Sequence, residues 1–238
     1  MMKNESNVMG TSEECLLCGA PLKYLEKAER MECVYCHRTF VADVCCENGH
    51  YVCDDCHTSG VDAIVHVCMD SRTKNPYEIL ERMMQMPFCH MHGPEHHAMV
   101  GAALLAAYHN AGGTVDLLQT LPEMVRRGRQ IPGGVCGNWG ACGAGISVGI
   151  FTALVTHSTP LTAEPWRLSN EATAQALTLI SKYGGPRCCK RDSYLALQAG
   201  IAFAKAHWGV EMEGGKPHCH RMKQNNQCLL AACPFFKA

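Results

Sequence analysis

Cysteine pairs at metal-ligand spacing open the chain. CLLCG at 15–19, CVYC at 33–36 and CCENGHYVCDDCH at 45–57 bring together three CxxC pairs with Cys45, Cys46 and His50. A CxxC turn sets two thiolates on one side of a knuckle, where both reach one tetrahedral Zn²⁺ at about 2.3 Å, and a second pair closes the site. In a sequential pairing Cys15, Cys18, Cys33 and Cys36 hold one zinc and Cys46, His50, Cys53 and Cys56 a second. In a cross-brace, alternate pairs share a metal, and the spacing allows both. Closed sites of this kind have no open coordination position, so the two zinc ions are expected to be structural, with rubredoxin-like iron the alternative.

Four further pieces carry ligand-type residues. CHMHGPEHH at 89–97 has one cysteine and four histidines, and VCGNWGACGAG at 135–145 holds Cys136 and Cys142. GGPRCCKR at 184–191 holds Cys188 and Cys189 between basic residues, and the tail HCHRMKQNNQCLLAACPFF holds Cys219, Cys228 and Cys233. Pro94 suits the first position of a helix, which puts His96 and His97 in its first turn, where the dipole disfavours the imidazolium. The two are expected to act as base or ligand, with Glu95 in proton transfer. Cys142 begins a helix among glycines, where free N–H groups favour a thiolate. Arg187, Lys190 and Arg191 would stabilise thiolates at Cys188 and Cys189 and bind an anion.

Together these residues predict a 4Fe–4S cluster drawn from Cys136, Cys142, Cys188, Cys189, Cys228 and Cys233. Cys142, one of Cys188 and Cys189, and Cys228 or Cys233 are the expected ligands, with one iron open as a Lewis acid. The expected function is a metalloenzyme of lyase, desulfidase or sulfur-transfer type acting on a small anionic substrate clamped by Arg187 and Arg191. The alternative is a non-enzymatic carrier of metal, cluster or sulfur that docks a protein acceptor through its zinc module.

The elements that must position these groups follow from composition and caps. Among 238 residues, 47% are hydrophobic and the formal charge is -1, which points to a globular chain and away from a nucleic-acid partner. MMKNESNVMGTSEE is polar with no apolar signal-peptide core after it, and no apolar run approaches the ~20 residues of a membrane span. A cytoplasmic location is expected, where 17 cysteines are metal ligands or catalytic thiols rather than disulfides. The expected organisation is a disordered tail over 1–14, a zinc module over 15–60 and an all-α metal-binding domain over 61–238. Helices are expected in NPYEILERMMQM from an Asn cap, in PEHHAMVGAALLAAYHN, and more weakly in TVDLLQTLPEMVRRG, which Pro122 interrupts. Further helices are expected in GAGISVGIFTALVTH, from Ser169 to Gly184, and from an Asp192 cap to Gly209. VDAIVHV is a strand candidate.

HxxCxxC at 50–56 resembles part of a RING or treble-clef pattern, so the fold class is mostly α with a small zinc-ribbon or treble-clef-like module in front. MHGPEHH, GACGAGISVGI, GGPRCCKR and NNQCLLAACPFF, behind a module ending GHYVCDDCH, resemble a family of prokaryotic proteins known as a domain of unknown function. Some of its members are labelled methyltransferase, a label that would require a nucleotide loop of the GxGxG type after a strand; this chain has none. A weaker similarity is to iron–sulfur L-serine dehydratases and cysteine desulfidases, which implies a cluster at Cys142 and Cys188 or Cys189.

Overall fold

A hairpin comes first. In the computed structural model, which describes Cys15, Leu17, Cys18, 20–53, Asp55, Cys56 and 60–237, β1 (Leu22–Glu32) pairs antiparallel with β2 (Thr39–Cys46). The tail expected over 1–14 lies outside the described residues. The register slips between Tyr24 and Glu29, where β1 bulges. Most of β1 faces solvent, so this hairpin has little core of its own. It carries ligands instead: β1 leads into the Cys33–Cys36 knuckle, and β2 ends at Cys46.

Beyond it the described chain is helical: α1 (Val61–Asp70), α2 (Pro76–Met84), α3 (Glu95–Asn110), α4 (Leu117–Arg129), α5 (Val135–Asn138), α6 (Gly143–Val155), α7 (Glu164–Ser181) and α8 (Cys189–Trp208). The tail after Trp208 contains only two 3₁₀ turns, Met222–Gln224 and Leu230–Ala232. At the centre is α3, apolar on every side and buried from His96 to Tyr108, with α1, α2, α4, α6 and α8 packed around it. A helix without a polar face has to sit inside the bundle.

Several local expectations change here. VDAIVHV is helical, not a strand, because Val61, Ile64, Val65, Val67 and Cys68 fall on the buried side of α1 at helical spacing. Pro122 does not break α4: Asp116 caps the helix by accepting from the N–H groups of Leu118 and Gln119, and the one backbone bond that Pro122 forfeits is offset by burial of Leu121, Met124 and Val125. Helix α7 begins at Glu164 with Pro165 behind it, so Ser169 is internal and its hydroxyl bonds back to the Pro165 carbonyl. Helix α8 begins at Cys189 with Cys188 as its N-cap, which moves Asp192 from the cap into the first turn. Its end at Gly209, in the left-handed region at φ 66°, is a C-terminal stop that needs glycine. Asn75 caps α2, accepting from the Tyr77 N–H at 3.0 Å with Pro76 at the first position.

Gly128 allows α4 to pack closely on the backbone of α3. A methyl group at Gly128 of α4 would stand 2.6 Å from the Ala98 Cα and 2.8 Å from the His97 carbonyl oxygen, both backbone atoms of α3. Gly128→Ala gains about 1 kcal/mol of helix propensity, but overpacking against backbone that cannot rotate away costs about 3 kcal/mol. Urea unfolding should therefore show Gly128→Ala less stable than wild type by about 2 kcal/mol; equal or higher stability would show that α3 and α4 separate easily.

Candidate functional site

The N-terminal cysteines fall into two interleaved groups. Cys15, Cys18, Cys46 and His50 converge on one point, and Cys33, Cys36, Cys53 and Cys56 on another. Ligand pairs one and three share the first site and pairs two and four the second, so the cross-brace pairing is the one adopted. Four ligands about 2.3 Å from a tetrahedral ion lie about 3.8 Å apart. Cys18 Sγ is 3.9 Å from Cys46 Sγ, Cys36 Sγ is 3.7 Å from Cys53 Sγ, and Cys15 Sγ is 3.8 Å from His50 Nδ1. Both groups have the spacing to hold a metal ion. His50 faces its site through Nδ1, 3.3 Å from Cys18 Sγ.

Electrostatics within each group are uneven without an ion. Burial pushes the Cys15 thiol up to about 11. At Cys18 burial also acts upward, but the Ala20 N–H, the Asn48 amide and His50 outweigh it and bring the thiol down to about 6. Cys36 is likewise brought down to about 6 against its burial, chiefly by Arg38. Each group thus pairs one readily formed thiolate with thiols that burial pushes the other way, Cys15 in the first and Cys53 and Cys56 in the second.

The second gathering of cysteines lies at the N-terminus of α8. Cys188, its N-cap, lines one cavity together with Cys219, Cys228 and Cys233 of the tail, and the wall also includes Arg191, Tyr194, Asn225 and Phe235. Among the described residues no three of these thiols stand within the 4.8 Å that unites each N-terminal group. The space between them is wider than one ion needs: a water-sized sphere can centre itself over ≈ 20 Å³. Adding a 1.4 Å water radius makes that a void of about 3 Å radius.

Each sulfur is met by N–H donors. The Leu230 N–H lies 3.4 Å from Cys228 Sγ, the Arg221 N–H 3.4 Å from Cys219 Sγ, and the Asn225 amide 3.6 Å from Cys188 Sγ. Cys188 also receives the Arg191 and Lys190 N–H groups of the first turn of α8, and Cys233 that of Phe235. Burial raises the thiols of Cys188, Cys219 and Cys233, and these donors together with Arg191 or Arg221 oppose it. Arg191 is 3% exposed: Nε donates to Asp192, Nη2 to the carbonyls of Gly184 and Pro186, and Nη1 has no partner.

Arg191 also borders an open cleft of ≈ 560 Å³ lined by Cys136, Cys142, Arg187 and Asp192 with glycines 134, 137, 140, 184 and 185. Cys136 and Cys142 therefore face this cleft, while the tail thiols face the cavity. Cys142 caps α6, yet burial, followed by the Asp192 carboxylate with its oxygen 4.0 Å away, pushes its thiol up to about 12 against the N–H groups of Ala144 and Gly145. The thiolate expected from the helix dipole is overruled by desolvation. Cys189 borders neither space.

The histidine-rich piece reaches the cavity through Met91 and through His92, whose Nε2 lies 3.2 Å from Asn225 Oδ1, while His96 and His97 are buried away from it. His96 is 1% exposed, with Nδ1 3.0 Å from the Gly93 carbonyl and Nε2 2.9 Å from Lys190 Nζ. Burial, then Lys190, holds it neutral, down to about 3. Lys190, itself 1% exposed, also donates to Cys89 Sγ at 3.0 Å and to the His90 carbonyl at 2.8 Å. Cys89, Glu95 and His96 are close enough together to bind an ion, but the Lys190 ammonium already lies against two of the three. His97 packs on Gly143, where a side chain would strike its ring, and its Nδ1 meets the Ile131 carbonyl at 3.1 Å. His96, His97 and Glu95 thus border neither the cavity nor the cleft. Cys219, which sequence reasoning left out of the cluster, is the ligand-type residue it missed. The pair of flanking histidines is the only local cue to it, and its partners are distant in sequence.

These features define a mostly helical protein whose cysteine-rich N-terminal region holds two cross-braced groups able to take a metal ion. A family of unknown function, DUF5714, matches residues 64–236, and the chain belongs to that family. No curated protein and no solved structure matches.

The interleaved pairing has a direct readout. Native mass spectrometry of the full chain should show that Cys18→Ser combined with Cys46→Ser loses one metal ion relative to wild type, whereas Cys18→Ser combined with Cys36→Ser loses two. Sequential pairing requires the opposite result.

Proposed function

We propose that this chain is an iron–sulfur protein in which Cys188, Cys219, Cys228 and Cys233 hold a 4Fe–4S cluster, with structural zinc in the two N-terminal groups. One observation carries the reading: four cysteines wall one cavity, and among the described residues no three of their sulfurs gather as closely as the ligands of a single ion would. N–H donors to the sulfurs and an orphan guanidinium nitrogen in the wall add to it, because cluster sulfurs accept such bonds and are tuned by them. For the N-terminal groups, cysteine and histidine at the edge length of a tetrahedron favour zinc.

The function that follows is a metalloenzyme working on a small anionic substrate in the cleft beside the cavity, with Arg187 and Arg191 as its cationic walls and the Cys136 and Cys142 thiols facing it. Four thiolates leave no iron position open, so sulfur or electron chemistry is favoured over Lewis-acid elimination.

Anaerobic reconstitution with iron and sulfide tests the assignment. About four iron and four acid-labile sulfide per chain are expected, together with the visible charge-transfer absorbance of a cluster. Cys219→Ser and Cys233→Ser should each lose most of the absorbance, and Cys142→Ser should keep it. Zinc alone in the wild type, or loss of the cluster in Cys142→Ser with retention in Cys219→Ser, would refute the ligand set.

A further inference from the structure

On the other side of Phe235 from the cysteine cavity lies a groove of ≈ 540 Å³, lined by Tyr77, Tyr183, Ile201, Lys216, Pro234 and Phe235 among others. Phe235 borders both spaces. It is held by a T-shaped contact with Tyr194, ring centroids 5.0 Å apart, and its carbonyl accepts from the Cys219 N–H at 2.8 Å. The floor of this groove is therefore one side chain away from the thiols.

Charge around it is one-sided. The two segments that supply the four cysteines, 181–191 and 214–237, contain Lys182, Arg187, Lys190, Arg191, Lys216, Arg221, Lys223 and Lys237 and no Asp or Glu, in a chain whose formal charge is -1. Lys182, Lys216, Lys223 and Lys237 are exposed. Lys182 adjoins Tyr183, Lys216 lines the groove, and Lys237 follows Phe235 by two residues. The nearest carboxylates in sequence are Asp192, buried and paired with Arg191 at 2.9 Å, and Glu213, exposed beside Gly214 of the groove; Glu211 beyond it is paired with Lys205 at 2.8 Å. An apolar floor with a cationic rim matches a protein that presents acidic residues around an apolar contact patch, and such fields steer encounter.

We propose that this groove and its lysine rim dock an acidic one-electron carrier protein that exchanges electrons with the cluster, an inference that rests on the cluster assigned above. One electron leaves the reduced carrier and lowers the cluster's oxidation level by one, and no bond is made or broken. Closed thiolate ligation suits this exchange, and the separation by a single aromatic ring keeps the transfer path short. Nucleic acid fits less well, because a chain of formal charge -1 lacks the broad basic field on which phosphate-backbone binding relies.

The test uses the reconstituted full chain and an acidic plant-type ferredoxin, with interferometry for binding and stopped-flow bleaching for cluster reduction. Lys182→Glu, Lys216→Glu and Lys237→Glu combined should slow reduction by ferredoxin about tenfold or more and weaken binding, while reduction by dithionite is unchanged; added salt should slow the wild type in the same way. An iron-loaded chain that dithionite reduces but that neither binds ferredoxin nor responds to the substitutions overturns the docking site and leaves the cluster standing. Salt-dependent ferredoxin binding through these lysines in a chain that takes up no iron supports docking and overturns the cluster. Binding of a polyuridine oligonucleotide through the same lysines, with ferredoxin ignored, overturns the proposal in favour of nucleic acid.

Discussion

The tail after Trp208 depends on one constraint: three of its cysteines must meet the N-terminus of α8. From 210 to 237 the chain forms only two short 3₁₀ turns, and Met212, Asn225 and Phe235 are its buried residues. So little buried apolar surface cannot offset the entropy of ordering such a length, about 1–2 kcal/mol per residue for backbone alone. Bonds from Cys219, Cys228 and Cys233 to a group shared with Cys188 would supply what packing does not. The same logic governs the N-terminal module, whose exposed hairpin has little hydrophobic interior and two sets of converging ligands.

Between the cysteine-rich hairpin and the cysteine-bearing tail lies an ordinary hydrophobic bundle. Its central helix α3 delivers His96 to Lys190 and His97 to Gly143. The histidines thereby fix the first turn of α8 and the start of α6, the two helix N-termini that bound the cleft. Gly145 and Gly149 leave room on α6 for Leu177 and Thr173 of α7, which closes the bundle beneath it. Arg191 joins the parts. It walls the cavity and the cleft alike, and its bonds to the Gly184 and Pro186 carbonyls hold the glycine-rich break in place.

What the sequence revealed was chemistry carried by near neighbours. CxxC spacing marks all but two of the module's ligands, Cys46 and His50 make a further pair, and Asn75 before Pro76 marks the start of α2. Partnership across distance was not legible. Sequential and cross-braced pairings use the same CxxC turns, and only the hairpin, which brings Cys46 back to Cys18, separates them. Cys142 looked like a cluster ligand because glycines and a helix start surround it. Gly143 and Gly145 make room for His97 and for Leu177 of α7, and burial beside Asp192 pushes the thiol up. Asp192 looked like a cap because caps are inferred from residue type, and here the cap is Cys188, a residue with its own role in the cavity.

Anomalous diffraction from anaerobically grown crystals, collected on both sides of the iron and zinc absorption edges, tests the central claim most directly. A compact four-iron feature bounded by Cys188, Cys219, Cys228 and Cys233, with one zinc peak in each N-terminal group, is the expected map. A single zinc peak in the cavity, or iron density beside Cys142 instead, would contradict it.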